Sequence, residues 1–203
     1  MLEGFLLPKY QQRFWLYYCS NHQVNPVAPI YAGQLQNGVI WIRIEGKGSF
    51  KNSTDLKAYV SLVIKEGAKE FVIDLENCPV MDSTFMGTLV GINRSLGNIG
   101  SGNINVINAN TRNIQLLTSL GIDKLLKIDL ENNLYKEFRN EISQHIQNGH
   151  YLDHQETDNY KSAIHSLEAH KELTKAEKSN VPRFKDVIRY LEQDLKNKTE
   201  SKL

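Results

Sequence analysis

The 203-residue chain carries 24 Lys and Arg against 23 Asp and Glu, so its formal net charge is only +1. This balance argues against binding to nucleic acid or an anionic membrane through charge alone, and it favours a protein or small-molecule partner. The length suits one domain with an appendage. The most apolar N-terminal stretch, residues 14–19, is too short to cross a bilayer, and the two cysteines, Cys19 and Cys78, lie in dissimilar contexts. We therefore expect a soluble protein of a reducing, cytoplasmic compartment.

The N-terminal third begins irregularly and then turns into a β-hairpin. Residues 1–29 mix aromatic residues with prolines without a sustained period, which indicates an irregular extension. A β-hairpin is predicted from residue 31 onward. Its first strand would cover residues 31–36, its turn would be Asn37-Gly38, and its second strand would cover residues 39–45. Asn-Gly is typical of a two-residue type I′ turn because both residues tolerate positive φ.

Beyond the hairpin, amphipathic helices alternate with short apolar strands. The predicted elements are a helix over about 53–66 capped by Asn52 or Ser53, a strand over 71–75, a helix from Ser83 capped by Asp82 or Ser83, a strand over 104–107, a helix over 111–119 and a weaker strand over 125–128. The order ββαβαβαβ predicts an α/β fold. Its small mixed β-sheet would combine parallel βα units with an antiparallel edge hairpin.

In such a sheet the loops that leave the carboxyl ends of the parallel strands meet at one rim. Here those loops are residues 46–52, 77–83 and 108–112. We therefore expect the functional residues at this rim.

Residues 131–203 have a helical pattern with nearly balanced charge. The first helix would carry Leu134, Phe138, Ile142 and Ile146 and stop at Asn148-Gly149. A second would open at Asp153 with Glu156 as a capping box, and a third at Val181-Pro182. We interpret residues 30–130 as the domain and 131–203 as a helical appendage that packs on it or forms a homodimer.

Two stretches stand out around the strand-to-helix turn: the pair Asp74-Leu75 and the run Met81-Asp82-Ser83-Thr84-Phe85-Met86-Gly87-Thr88-Leu89. Together they resemble the signature of the STAS domain family, in particular its bacterial anti-sigma factor antagonists. The resemblance in element order covers about residues 30–130. It implies a small mixed sheet with helices mainly on one side. It also implies that a partner kinase phosphorylates Ser83, that Asp82 precedes the acceptor, and that Gly87 packs the helix against the sheet. Phe85 stands where the family usually has glycine.

The resemblance implies a regulator that works by partner switching and that is a substrate of other enzymes. Its partners would be an anti-sigma factor or related serine kinase and a phosphatase, without cofactor or metal. Phosphoserine at a helix N-terminus leaves the helix stable, whereas a partner docked over the same turn would have to desolvate a dianion. The residues predicted to contact the partner are Asp82, Thr84, Phe85, Met86, Asn52 and Asn108.

Three alternatives accompany this interpretation. Ser83 can serve as an N-cap alone, which contributes about 1 kcal/mol. Phe85 can be a core residue or an exposed anchor, with equal weight. The whole protein can be a non-phosphorylated STAS adaptor, either as a transporter subunit or as a scaffold assembled through its C-terminal helices.

Catalytic and metal sites find less support in the sequence. The turn before Ser83 lacks the Gly-x-Ser-x-Gly elbow of serine hydrolases, and no histidine lies between His22 and His145. The histidines at 150, 154, 165 and 170 lack a metal-binding spacing with glutamate, so we interpret them as solvated.

Overall fold

The structure is a computed structural model that describes residues 29–98, 100, 102–148, 151–152, 154 and 157–200. The predicted N-terminal extension up to residue 28, the proposed capping pair Asp153 and Glu156, and Gly149, His150 and Cys19 lie outside this part of the chain.

Five strands form one mixed sheet in the order β1-β2-β3-β4-β5. Only the pair β1 and β2 is antiparallel, and β2 to β5 are parallel to one another. The strands are β1 (Ile30–Gln34), β2 (Ile40–Ile44), β3 (Glu70–Asp74), β4 (Asn103–Ile107) and β5 (Lys127–Ile128). The predicted mixed α/β sheet with an antiparallel edge hairpin is confirmed.

The hairpin turn differs in type from the prediction. Gly38 has φ 86°, but Asn37 is not in the left-handed region. The Gly38 amide donates to the Leu35 carbonyl at 2.8 Å, and the Leu35 amide donates to the Val39 carbonyl at 2.9 Å. Only the glycine therefore needs positive φ, as in a longer loop that ends in a bulge, and the predicted type I′ turn is wrong.

Three helices follow the parallel strands and cover one face of the sheet. They are α1 (Phe50–Lys65), α2 (Ser83–Asn98) and α3 (Thr111–Ser119). Apolar residues of all three join the isoleucines of β2 in the larger core cluster. Helix α1 begins earlier than predicted because the Asn52 side chain accepts a hydrogen bond from the Ser49 amide at 2.8 Å, so Asn52 lies within the first turn.

The C-terminal segment contacts both sides of the domain. A short 3₁₀ turn (Lys136–Phe138) leads into α4 (Arg139–Gln147), whose Ile142 packs with Trp41, Val72 and Ile107 on the opposite face of the sheet. The chain then passes the β1 edge, where the Leu152 amide donates to the Ile30 carbonyl at 2.8 Å. The domain is therefore covered on both faces.

Two further helices lie beyond that crossing, α5 (Asn159–Ala176) and α6 (Val181–Glu200). Helix α5 is capped by Asp158, whose Oδ1 accepts from the Lys161 amide at 2.7 Å. The helix predicted to open at Asp153 therefore begins at Asn159. Helix α6 begins at Val181, as predicted. Leu173 of α5 joins the larger core, whereas α6 has no fully buried residue in the described chain.

Candidate functional site

The rim loops meet through backbone hydrogen bonds, as predicted. The Gly48 amide donates to the Val80 carbonyl at 3.1 Å, and the Asp82 amide donates to the Gly48 carbonyl at 2.8 Å. On the other side, the Asn110 amide side chain donates to the Cys78 carbonyl at 3.0 Å. The β3–α2 loop is therefore fixed between its two neighbours, and the start of α2 is rigidly placed.

Asp82 caps two helices at once. Its Oδ1 accepts from the Phe85 amide at 2.9 Å, within α2, and its Oδ2 accepts from the Phe50 amide at 3.0 Å, at the start of α1. A carboxylate at these positions also favours both helix dipoles. Asp82 is thus the N-cap of α2, and it ties the two helix N-termini together.

Ser83 is the first residue of α2 and is half-buried. Its Oγ lies 3.0 Å from Nε2 of His170, which α5 supplies. His170 Nδ1 lies 2.7 Å from the Ser166 carbonyl, an acceptor only, so Nδ1 is the nitrogen that carries the proton when the ring is neutral. Nε2 is then an acceptor, and Ser83 donates its hydroxyl proton to it.

Phe85 lies in the core and is fully buried. A Cβ on Gly48 would come within 3.1 Å of the Phe85 ring, so the ring fills space that glycine leaves free at position 48. Thr84 and Met86 are 6% and 3% exposed. All three side chains are buried in this conformation, and the partner contacts predicted for Thr84, Phe85 and Met86 stay predictions.

Asn52 and Asn108 hold the rim together. Asn52 is 1% exposed, and its amide donates to the Lys47 carbonyl at 3.1 Å. Asn108 is half-buried, has φ 55° and donates to Asp74 Oδ1 at 2.9 Å. Asp74 is fully buried and also accepts from Trp41 and Arg43. The Asn52 side chain is buried and the Asn108 amide is bound to Asp74, and the partner contacts predicted for both residues stay predictions.

Sequence reasoning missed Phe50, which is the exposed aromatic residue of this rim. It is 48% exposed at the first position of α1, with its amide bound to Asp82. Lys47 and Lys51, on either side of it in the sequence, are exposed as well. Phe50 was missed because the sequence pattern places the N-cap of this helix at Asn52 or Ser53, which leaves Phe50 in the preceding loop. In the structure Asn52 is the third residue of the helix and bonds back to the Ser49 amide.

Gly87 contacts a helix and not the sheet. A Cβ at Gly87 would lie 2.2 Å from the Ala169 carbonyl oxygen, so α2 and α5 touch backbone to backbone there. The packing of Gly87 against the sheet that the family resemblance implies is therefore wrong. Nearby, His165 Nε2 lies 2.8 Å from Ser53 Oγ and 3.2 Å from Thr88 Oγ1.

The predicted solvation of the histidines is wrong for His165 and His170, which are 7% and 6% exposed. Burial, with a smaller contribution from Lys57, lowers the pKa of His165 to about 4, so this imidazole is neutral at neutral pH. His154 Nδ1 is 2.7 Å from an Asp55 carboxylate oxygen. Among the described residues, no group of three or more histidines, cysteines and acidic residues is arranged to hold a metal ion.

Ser83 is paired with His170 although 87 residues separate them in the chain. The lack of a histidine near Ser83 in the sequence therefore did not exclude a serine–histidine contact. A serine, an imidazole and an orienting carbonyl are the parts of a nucleophile–base pair. The Phe184 ring lies 5.2 Å from the His170 ring, and His170 is almost wholly buried. The arrangement is therefore a packed contact between α2 and α5.

A model of the STAS domain family matches residues 33–138, just over half of the chain. The match runs from the end of β1 through β5 and includes the rim and the helix that begins at Ser83. The chain belongs to the STAS domain family. The helices α5 and α6 lie beyond the matched region.

Solved structures give similar but distant matches. The anti-sigma factor antagonist SpoIIAA from Bacillus, in its unphosphorylated form, is 19% identical with a TM-score of 0.47, over 55% of this chain and 96% of that one. An anti-sigma factor antagonist from Mycobacterium paratuberculosis is 13% identical with a TM-score of 0.45, over 62% of this chain and 97% of that one. No curated protein matches the chain. In the described part, no helix is both long and apolar enough to cross a membrane.

Proposed function

We propose that the protein is an anti-sigma factor antagonist-like regulator that acts by phosphorylation-dependent partner switching, with Ser83 as the phosphoacceptor. The observation that carries the proposal is the position of Ser83, the first residue of α2 on a rigid rim, directly after the Asp82 cap. Family membership supports the class. In this proposal the protein is a cytoplasmic, non-enzymatic regulator of transcription.

The chemistry of the modification suits this position. A phosphoserine adds about 1.5 to 2 negative charges at neutral pH, and the free amides and dipole at a helix N-terminus stabilise an anion. The neighbouring Asp82 carboxylate accepts hydrogen bonds from the amides of Phe85 and Phe50. Because this carboxylate is itself negative, it would add to the negative charge that the phosphate brings to the rim. The domain would stay folded while its rim becomes strongly anionic, and a partner bound there would be released.

The partner is a serine kinase of the anti-sigma factor type or a related switch protein, and a phosphatase restores the free serine. Phe50 provides the exposed aromatic anchor, and Lys47 and Lys51 provide positive charge beside it. Asp82 lies between this patch and Ser83.

Mass spectrometry tests the acceptor directly. The full chain is incubated with ATP and each candidate serine kinase from its own genome, and the phosphorylated residue is located. We expect phosphate on Ser83 and none in Ser83→Ala. Thr84→Ala is the matched control, because Thr84 is the adjacent hydroxyl residue and is buried. Phosphate on another residue, or on none with any candidate kinase, would contradict the proposal.

The partner surface is tested separately with Phe50→Ala. We expect this substitution to weaken binding of the kinase by about tenfold or more, because an exposed aromatic anchor is lost, while the free energy of unfolding changes little. Val181→Ala is the control, because Val181 is exposed to a similar degree on α6. Equal binding by both variants would remove Phe50 from the interface.

A second candidate function, assembly through the C-terminal helices, is favoured by the exposure of α6. None of its 20 residues is fully buried in the described chain, and Tyr190 is 66% exposed although an apolar stripe runs along the helix. Light scattering on the full chain would detect a homodimer. Loss of that dimer in Tyr190→Glu, with partner binding unchanged, would support a scaffold role.

A further inference from the structure

The surface of α1 and α2 beside Ser83 is already occupied by a helix of the same chain. Glycine at position 87 allows the backbone of α5 to approach α2, as the 2.2 Å distance from a Cβ there to the Ala169 carbonyl shows. Lys57 of α1 pairs with Glu168 at 2.6 Å, and Arg94 of α2 pairs with Glu172 at 3.0 Å. Glu168 and Glu172 lie one helical turn apart on α5, so a small residue and two carboxylates define the contact face.

The polar contacts of α5 define the hydrogen-bonding roles of the ring nitrogens in both of its buried histidines when the imidazoles are neutral. The Ser53 hydroxyl donates to the Phe50 carbonyl and the Thr88 hydroxyl to the Thr84 carbonyl, at 3.2 and 2.8 Å. Both hydroxyl protons are therefore used, and His165 Nε2 must be the donor to these two oxygens. His170 Nε2 has the opposite role, since it accepts from Ser83.

A phosphate on Ser83 is incompatible with this contact. Phosphorylation removes the hydroxyl proton that Ser83 donates to His170 and puts acceptor oxygens opposite an acceptor nitrogen. His170 is 6% exposed and Phe184 packs beside it, so a phosphate directed at His170 would press against the packed side chains of α5 and α6. The docked α5 therefore favours the unphosphorylated serine, which it partly covers through His170.

We propose that the face of α1 and α2 around Gly87 is a helix-docking surface that α5 and the protein partner occupy in turn, so that α5 is a competitor of the partner built into the chain. The partner's element is a helix that presents a small residue to Gly87 and carboxylates, one turn apart, to Lys57 and Arg94. This inference rests on the proposed function for the role of Ser83 and of the partner. The docking and release of α5 can be measured without a kinase.

A thiol probe measures how well α5 covers position 83. In a Cys19→Ser background, Ser83→Cys is alkylated with N-ethylmaleimide, while Cys78 reacts slowly because it is buried and burial raises its thiol pKa. We expect Gly87→Ala to accelerate alkylation of position 83 by about tenfold or more, since local opening exposes covered groups. Gly97→Ala, in the same helix, is the control because its Cβ meets nothing within 4 Å.

A second variant guards against misfolding of Gly87→Ala. Glu168→Lys combined with Glu172→Lys removes both ion pairs without touching the domain, and it should also accelerate alkylation. Equal rates in the parent, in Gly87→Ala and in the charge-reversed variant would overturn the proposal that α5 covers Ser83.

A peptide of residues 159–176 tests whether the surface accepts a helix in trans. Fluorescence anisotropy should show binding to the charge-reversed full chain at least about tenfold tighter than to the wild-type chain, whose own α5 competes at high effective concentration. Gly87→Ala added to the charge-reversed chain should abolish that binding. Equal binding to all three chains would overturn the exchange. If both probes succeed and no kinase modifies Ser83, the proposed function fails while the docking surface stands.

Discussion

Helices α4 and α5 both come from the C-terminal segment, but they contact the domain in different ways. Helix α4 places Ile142 against Trp41, Val72 and Ile107 on the opposite face of the sheet, and its His145 ring stacks on Trp41 with 6.4 Å between the ring centroids. Helix α5 contributes Leu173 to the larger core and adds histidine–hydroxyl hydrogen bonds and ion pairs to α1 and α2. The contact of α4 is mainly apolar, whereas the contact of α5 includes several groups whose interactions depend on protonation and charge.

The difference matters because apolar burial is insensitive to pH and modification, whereas a buried hydrogen bond is lost when one partner changes its protonation or gains a phosphate. A regulator of this kind needs a stable domain and one contact that can be broken. We expect the α4 face to hold the fold and the α5 face to respond to signals.

The largest effect is expected on the α4 side. Trp41→Ala removes a fully buried ring and the indole donor to Asp74 Oδ2, at 3.1 Å. We expect a loss of about 3 to 5 kcal/mol in the free energy of unfolding, with the whole domain affected. Urea denaturation followed by circular dichroism measures it, with Tyr190→Ala as the exposed aromatic control. A loss below that of the control would mean that the α4 face does not hold the fold.

Acid should weaken the α5 side through His165. The pKa of His165 is about 4 in the folded protein, against an ordinary value of 6.5, so the unfolded chain binds this proton first as the pH falls. The free energy of unfolding should therefore decrease between pH 6.5 and 4 and lose nothing further from this group below pH 4. The full contribution is on the order of 3 kcal/mol at most.

His165→Gln isolates this contribution, since glutamine keeps an amide donor but does not titrate. Urea denaturation at several pH values should give a shallower decrease for the variant than for the wild-type chain. A residual slope is expected because burial also lowers the pKa of His145, on the α4 side. Identical slopes in both chains would show that His165 does not make the α5 contact sensitive to acid.

The double cap at Asp82 joins α1 and α2, the two helices that α5 contacts, and its removal should have an intermediate effect. Asp82→Ala removes both hydrogen bonds to the Phe50 and Phe85 amides, and Asp82→Asn keeps only one carbonyl oxygen. We expect a loss of about 2 kcal/mol for alanine and about half of that for asparagine, at roughly 1 kcal/mol per cap. Equal losses in the two variants would mean that a single cap carries the stabilisation.

Ser83→Ala is expected to have the smallest effect. It leaves His170 Nε2 without its donor, which costs about 1 kcal/mol and only in the docked state of α5. Amide hydrogen exchange in α5 should become faster while exchange in the strands stays unchanged. Ser95→Ala is the control on the same helix, since the Ser95 hydroxyl only contacts the Gly91 carbonyl. Faster exchange in the strands would contradict a contact that is local to α5.

Much of the fold could be predicted because its signals are local. The apolar run at residues 71–75 and the period change at Ser83 gave β3 and α2, and α3 was predicted with its observed bounds. The rim followed from the rule that parallel strands deliver their loops to one edge. The cap position of Asp82 was one of two choices, and the hydrogen bond to the Phe85 amide decides it.

The site was predicted less well, because burial is not local. Sequence reasoning had no preference between a core residue and an exposed partner anchor for Phe85. In the structure its ring is fully buried and packs beside Gly48, where a side chain would collide with it. Phe50 was assigned to a loop and is the exposed aromatic of the rim. Gly87 was expected to pack against the sheet, and nothing in its neighbourhood along the chain indicates that Ala169 fills the space beside it.

The sequence by itself determined the order of the strands and helices, the STAS resemblance and the position of Ser83 at a helix start, because each depends on residues within about a dozen positions of one another. Only the tertiary structure decided that His170 of α5 lies within hydrogen-bonding distance of Ser83. That contact joins residues 87 apart in the chain. It depends on the packing of two helices across Gly87, and no periodicity in either helix encodes which partner the other will meet.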